Sequence, residues 1–355
     1  VRTAGWIAPV LTLLVGLAPA AANHLPRPFE LERLNRRLGG QVVDYTRHHR
    51  GDHRIWSEAL GEKREMYVYL PPHYDPQKRY PLIIWLHGFA QDEHSFLEYA
   101  VEPLDRAIVC GKLPPAIVAA PDGSLSGRAG ITFLSPGSFF VNSKAGRFED
   151  FLMVDVWNFL HEHYPIRPER EAHVMAGVSM GGGAAFHAAI KHRDRVGVVV
   201  GFMPPLNTRW VDCHGRYRSH FDPDCWGWRT DFSNGHEVVG RFYGVVSIRL
   251  KRLFDPLYDR DDPASVAQIS EENPVEMLER LDVKPGELSM CVAYGCKDQF
   301  NLAAQVESFL YVARERGLCV RVCRDPEGKH DFPTAKRLFP CVLKWLAPLL
   351  EPYAP

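Results

Sequence analysis

The sequence predicts an α/β fold with a mostly parallel central sheet and helices on both faces. Short apolar runs ending at turn residues, "YPLIIWLHG", "PPAIVAAPDG" and "VGVVVGFM", read as strands buried on both sides. Between such runs lie segments of helical period, among them "FEDFLMVDVWNFLHEHY" and "NLAAQVESFLYVARERG". Strands alternating with helices of this length are the pattern of a parallel sheet covered on both faces.

The elements follow in order. Residues 1–22 read as a cleavable signal peptide: Arg2 supplies charge, residues 6–18 are mostly apolar, and Ala20 and Ala22 suit cleavage after Ala22. Residues 23–60 form an N-terminal extension, helical around "FELERLNRRLGG", with strands at "GQVVDYTRHH" and "RIWSEAL". The main α/β domain spans 61–350. Its strands are "REMYVYLPP", the three apolar runs above, "AHVMAGVS", "LSMCVAYG" and "LCVRVCR". "GGGAAFHAAIKH" is a small-residue helix, and "FPTAKRLFPCVLKWLAPLL" closes the chain as another. Residues 204–285 lack a clear period and read as a cap-like insertion after the sixth strand region, helical in part at "ENPVEMLERL".

Composition narrows the function. Hydrophobic residues make up 46% and the net charge is −1, so no strong field exists to attract nucleic acid or anionic lipid. With the signal removed, no stable membrane insertion is expected. The eight cysteines permit disulfides in an exported protein. Cys319 and Cys323 on one strand face would lie about 13 Å apart, too far to bond. Cys213 and Cys225 are the favoured pair. Their spacings do not resemble a metal site, and His48, His49 and His53 in "RHHRGDH" read as a polar turn.

The chemistry centres on "GVSMG", a G-x-S-x-G sequence between a strand and a helix. A sharp strand-to-helix turn needs glycines at 177 and 181, and it presents Ser179 at the carboxyl end of the sheet. A serine hydroxyl needs a base, and the base an orienting acid. Asp298 follows one later strand and His330 the next, in the expected order. Asp331 is too close in sequence to reach the far side of the imidazole, and Asp325 is a weaker rival. The N–H of Met180, paired with that of Phe89 or Gly88 in "WLHGFAQDE", would form an oxyanion hole. His87 reads as a turn histidine. Phe140 and Asn142 in "SFFVNS" are expected to line the acyl or alcohol side of the pocket. Trp210, Trp226 and Trp228 either line the cleft or pack the cap, and we take Trp226 as the substrate-binding one.

With these residues assembled, "YVYLPPHYDPQKRYPLIIWLHG", "APDG", "FFVNS", "AGVSMGGGAAF" and "GKHDF" resemble one branch of the α/β-hydrolases. That branch holds esterase D and S-formylglutathione hydrolase, feruloyl and acetyl-xylan esterases, and the mycolyltransferases. The resemblance covers roughly residues 40–345 and is weakest over 204–285. It implies the α/β-hydrolase fold, a nucleophile at Ser179, an acid at Asp298, a base at His330, donors at Phe89 and Met180, and no cofactor. The expected protein is a secreted or periplasmic serine esterase acting on small or carbohydrate-linked esters. Transfer of the acyl group to a sugar or lipid alcohol is the alternative. A non-catalytic binding module would lack a triad member, and all three are present.

Overall fold

The structure, a computed structural model, describes residues 29–125, 136–242 and 246–355. The expected signal peptide at 1–22 lies outside the described residues. Eight strands form one sheet: β1 (Gln41–Tyr45), β2 (Met66–Leu70), β3 (Leu82–Leu86), β4 (Ile117–Pro121), β5 (His173–Val178), β6 (Val198–Phe202), β7 (Ser289–Gly295) and β8 (Val320–Asp325). Their spatial order is β1-β2-β4-β3-β5-β6-β7-β8. β2 runs antiparallel to both its neighbours, and the remaining pairs are parallel.

The alternation along each strand explains the two covered faces. In β2, Met66, Val68 and Leu70 enter one core while Tyr67 and Tyr69 enter the other. The first core also takes Leu82 and Ile84 of β3, and the second takes Ile83. Fully apolar strands form here because both faces are dry.

The helices that matter for the site are α1 (Val101–Val109), α2 (Trp157–His163), α3 (Met180–Lys191), α4 (Pro274–Arg280), α5 (Leu302–Glu315) and α6 (Phe332–Leu350). α2 continues from Phe148–Asp150 through a wide π-helical stretch at Phe151–Val156. α1 was not expected from the sequence. Pro103 breaks its helical signal, although a proline in the first turn costs little there. At the far end of α3, Lys191 and His192 both reach the buried carboxylate of Glu149, at 2.7 and 2.8 Å. Those contacts fix α3 against the segment leading into α2.

The strand order reverses between β3 and β5. β4 steps from β3 toward one edge, and β5 to β8 step toward the other. A crevice therefore opens at the carboxyl ends of β3 and β5.

The 204–285 segment builds its own small core. Trp210–Asp212 pairs with Trp226–Trp228, and Val238–Phe242 pairs with Val246–Arg249. Trp210, Tyr217, Phe232, Ile248 and Leu257 are buried together. The Cys213–Cys225 disulfide closes the first hairpin. The insertion ends earlier than expected, because Val275, Met277 and Leu278 of α4 are buried in the main core. α4 is thus part of the main domain's cover.

A second disulfide joins Cys323 of the edge strand β8 to Cys341 of α6. The two are 18 residues apart, and His330 lies on the loop between them. Among the described residues, no helix is long and apolar enough to cross a membrane. Closing a loop of this size contributes about 3 kcal/mol, largely by restricting the unfolded chain. Cys341→Ser is expected to lower unfolding free energy by about 2–4 kcal/mol in a urea titration. An unchanged midpoint and slope would show that the bond adds nothing to stability.

Candidate active site

The site begins with a backbone constraint. Ser179 sits between β5 and α3 with φ 54° and ψ −122°, a conformation that non-glycine residues rarely adopt. Strain of this kind costs on the order of 1–3 kcal/mol and persists only where the surroundings enforce it. Here they do. A Cβ at position 181 would lie 2.2 Å from the Leu86 carbonyl oxygen. One at position 177 would lie 2.4 Å from the Gly181 carbonyl oxygen. Both glycines are required by close backbone approach, so α3 can start hard against the end of β3. The parallel register sets Leu86 beside Gly177, which levels the loop after β3 with Ser179.

The loops after β7 and β8 bring the other two side chains in. His330 Nε2 is 2.9 Å from Ser179 Oγ. His330 Nδ1 is 2.8 Å from Asp298 Oδ2. The second carboxylate oxygen of Asp298 accepts the N–H of Phe300 at 2.8 Å. Asp298 is almost wholly buried at its side chain, and His330 is 10% exposed. A buried carboxylate at Nδ1 favours the tautomer that carries its proton there, which leaves Nε2 to accept from the serine hydroxyl.

Two features missed in the sequence hold this arrangement. The Gln299 side chain accepts the N–H of His330 at 3.0 Å and donates to its carbonyl at 3.3 Å. One amide thus grips both backbone groups of the histidine. Tyr217, from the insertion, donates its hydroxyl to the Phe300 carbonyl at 2.6 Å. Asn301 in turn donates to the carbonyls of Tyr217 and Ser219. The cap and the acid-bearing loop are therefore tied together. The rival acids are engaged elsewhere: Asp331 caps α6 through the N–H of Thr334, and Asp325 pairs with Arg337.

The loop Gly88–Phe89 faces the serine from the β3 side. A Cβ on Gly88 would be 3.7 Å from Ser179 Cβ. The Gly88 N–H does not fit the expected donor role, because it is spent on Gln91 Oε1 at 2.9 Å. Phe89 and Met180 both line the cavity that holds Ser179. His87 holds the turn. Its Nε2 accepts the N–H of Gly123 at 2.9 Å, and its Nδ1 donates to the Gly88 carbonyl at 2.9 Å. Burial pushes its pKa below the ordinary value, so it stays neutral in this role.

A narrow cavity of about 90 Å³ opens at Ser179 and His330. Phe89, Phe139 and Met180 form its main-domain side, and Val239, Ile248, Leu253 and Phe254 come from the insertion. Thr208, Tyr217, Arg229 and Gln305 add polar groups. Arg229 makes two hydrogen bonds to Glu237, at 2.6 and 2.9 Å.

The three residues expected to bind substrate lie elsewhere. Phe140 is 1% exposed and packs on His87, filling the space that a Cβ on Gly123 would need. Its neighbour Phe139 lines the cavity instead. Both have positive φ, near 53° and 51°. Asn142 accepts the N–H groups of Glu149 and Asp150 and donates to Asp150, so it caps the helix that follows. Trp226 packs with Phe221, Trp228 and Tyr311 away from the cavity.

Comparison with known proteins places this geometry in context. Residues 57–333 match the family described as "Putative esterase". An endo-1,4-beta-xylanase/feruloyl esterase of Xylanibacter ruminicola is 31% identical over 135 residues, which are 36% of this chain and 18% of that protein. The chain thus matches less than a fifth of that relative's length. Among solved structures, a ferulic acid esterase superposes with a TM-score of 0.62 at 16% identity, covering 88% of this chain and 99% of that one. An S-formylglutathione hydrolase from Agrobacterium tumefaciens gives 0.57 at 16% identity, covering 88% and 96%. A ferulic acid esterase from Anaeromyces mucronatus, solved with ferulic acid, gives 0.54 at 17% identity, covering 86% and 89%. The chain belongs to this putative esterase family, and its sheet and flanking helices share the fold of these esterase structures.

Proposed function

We propose that the protein is an exported esterase that cleaves carbohydrate-linked or small aromatic esters through Ser179, His330 and Asp298. The hydrogen-bonded chain from Asp298 through His330 to Ser179 Oγ, with distances of 2.8 and 2.9 Å, carries this reading.

Ser179 Oγ attacks the ester carbonyl while His330 Nε2 takes its proton. The carbonyl oxygen gains negative charge, which the N–H groups of Phe89 and Met180 would receive. Such a donor is worth about 2.7–4 kcal/mol of barrier. The amino end of α3 adds a favourable dipole. His330 then gives its proton to the departing alcohol, and an acyl group remains on Ser179. Water attacks that acyl group with His330 as base, releasing the acid and restoring the serine. Asp298 steadies the imidazolium at both steps.

The mostly apolar, partly aromatic cavity supports an apolar acyl group, as does the presence of feruloyl esterases among the relatives. Two disulfides support an oxidising compartment.

Ser179→Ala is expected to lower kcat for a nitrophenyl ester by roughly 10⁴–10⁶-fold, and Asp298→Asn by about 10⁴-fold, with folding unchanged by circular dichroism. Full turnover by either variant would remove the mechanism. Because the cavity is narrow, Phe254→Ala is expected to raise kcat/KM for a feruloyl ester relative to an acetyl ester. An unchanged ratio would place the acyl group outside this cavity.

A further inference from the structure

A second cluster of chemistry-bearing side chains lies on the loop that supplies Phe89, outside the machinery described above. Glu93 follows Phe89 by four positions. Its side chain is fully buried, and neither carboxylate oxygen has a hydrogen-bond partner. Glu65, just before β2, is 3% exposed at its side chain. His48, on the turn after β1, stands over both. His48 Nε2 is 3.0 Å from Glu65 Oε2 and 3.4 Å from Glu93 Oε1. Arg47 approaches the other oxygen of Glu65, at 3.1 Å, and leaves Oε2 facing the histidine.

A buried carboxylate without hydrogen bonds is costly. The three donor atoms lie within 4.8 Å of one another. Around a tetrahedral divalent ion, with metal–ligand distances of about 2.0–2.2 Å, neighbouring ligand atoms are about 3.4 Å apart. The two spacings from His48 Nε2, 3.0 and 3.4 Å, are close to that value. One imidazole nitrogen and two carboxylates form a borderline donor set, suited to zinc(II) or a similar first-row ion rather than to calcium. His48 is 18% exposed at its side chain, which leaves a route in from solvent.

We propose that His48, Glu65 and Glu93 form a binding site for a divalent transition-metal ion of the zinc(II) class, with water completing the coordination. The ion would fasten the turn after β1 to the loop that carries Phe89. Its role is structural, since none of the three ligands belongs to the serine–histidine–aspartate chain. The sequence shows only a polar histidine turn here, because Glu65 and Glu93 reach His48 through the fold.

The cluster of Glu149, His187 and Glu272 on the nucleophile's helix is the rival site. There the Lys191 ammonium already lies 2.7 Å from Glu149 Oε2.

The test uses the whole chain, dialysed against a chelator and titrated with zinc chloride by calorimetry. Cobalt(II) absorption reports the coordination geometry, and melting temperature is followed with and without zinc. The wild type is expected to bind one ion per chain and to melt higher with it. His48→Ala and Glu93→Gln are expected to weaken binding by at least roughly 10–100-fold, the range seen when even an outer-shell partner is lost. Both should also lose the zinc-dependent rise in melting. Glu272→Gln should bind as wild type does. If Glu93→Gln fails to fold, His48→Ala carries the test, because its side chain is partly exposed while that of Glu93 is fully buried. No saturable binding, binding unchanged in His48→Ala, or binding lost in Glu272→Gln would overturn the proposal.

Discussion

The left-handed backbone of Ser179 is the constraint on which the rest of the site depends. Oγ projects into the crevice because the chain reverses from β5 into α3 within one residue. That reversal needs backbone atoms closer than any Cβ allows, and Gly177 and Gly181 provide the space. The cost of the strained residue is met by the sheet, whose register locks β5 between β3 and β6. The same contact brings the end of β3, and the loop that carries Phe89, alongside Ser179. One steric fact therefore sets both the Ser179 side chain and the loop beside it.

The other half of the site is set by loops rather than by the sheet interior. Asp298 and His330 come from the ends of β7 and β8, toward the exposed edge. Edge elements are less restrained than central ones, and the structure compensates at several points. The Gln299 amide holds the backbone of His330, Phe300 donates its N–H to Asp298, and Tyr217 reaches down from the cap. The disulfide between Cys323 and Cys341 closes the chain around the histidine loop. The cap has two functions as a result. It walls the cavity with Val239, Ile248 and Phe254, and it braces the acid-bearing loop.

Much of this was legible in the residues because short-range rules governed it. The alternation of apolar strands and helices led to the mostly parallel sheet. Ser179, Asp298 and His330 stood out because each follows a strand, in the order that this fold uses. What was not legible depends on contacts that spacing does not encode. Phe139 lines the cavity while Phe140 is buried in the core, and both residues adopt positive φ, which no spacing rule signals. Asn142 looked like a pocket residue, yet its amide caps a helix seven residues on. Trp226 joins an aromatic cluster with Tyr311 of α5, a partner distant in sequence. Gln299 was invisible because its role lies in gripping a backbone rather than in any motif. The end of the cap shifted because α4, though it follows an irregular stretch, turns Val275 and Leu278 into the main core.

The central claim is that Ser179 is the one activated nucleophile. Reaction with a fluorophosphonate, followed by peptide mapping, tests it most directly. One adduct per chain, on Ser179 and lost when His330 is replaced by alanine, is the predicted result. An adduct on another residue, or no adduct in a preparation that still hydrolyses esters, would contradict it.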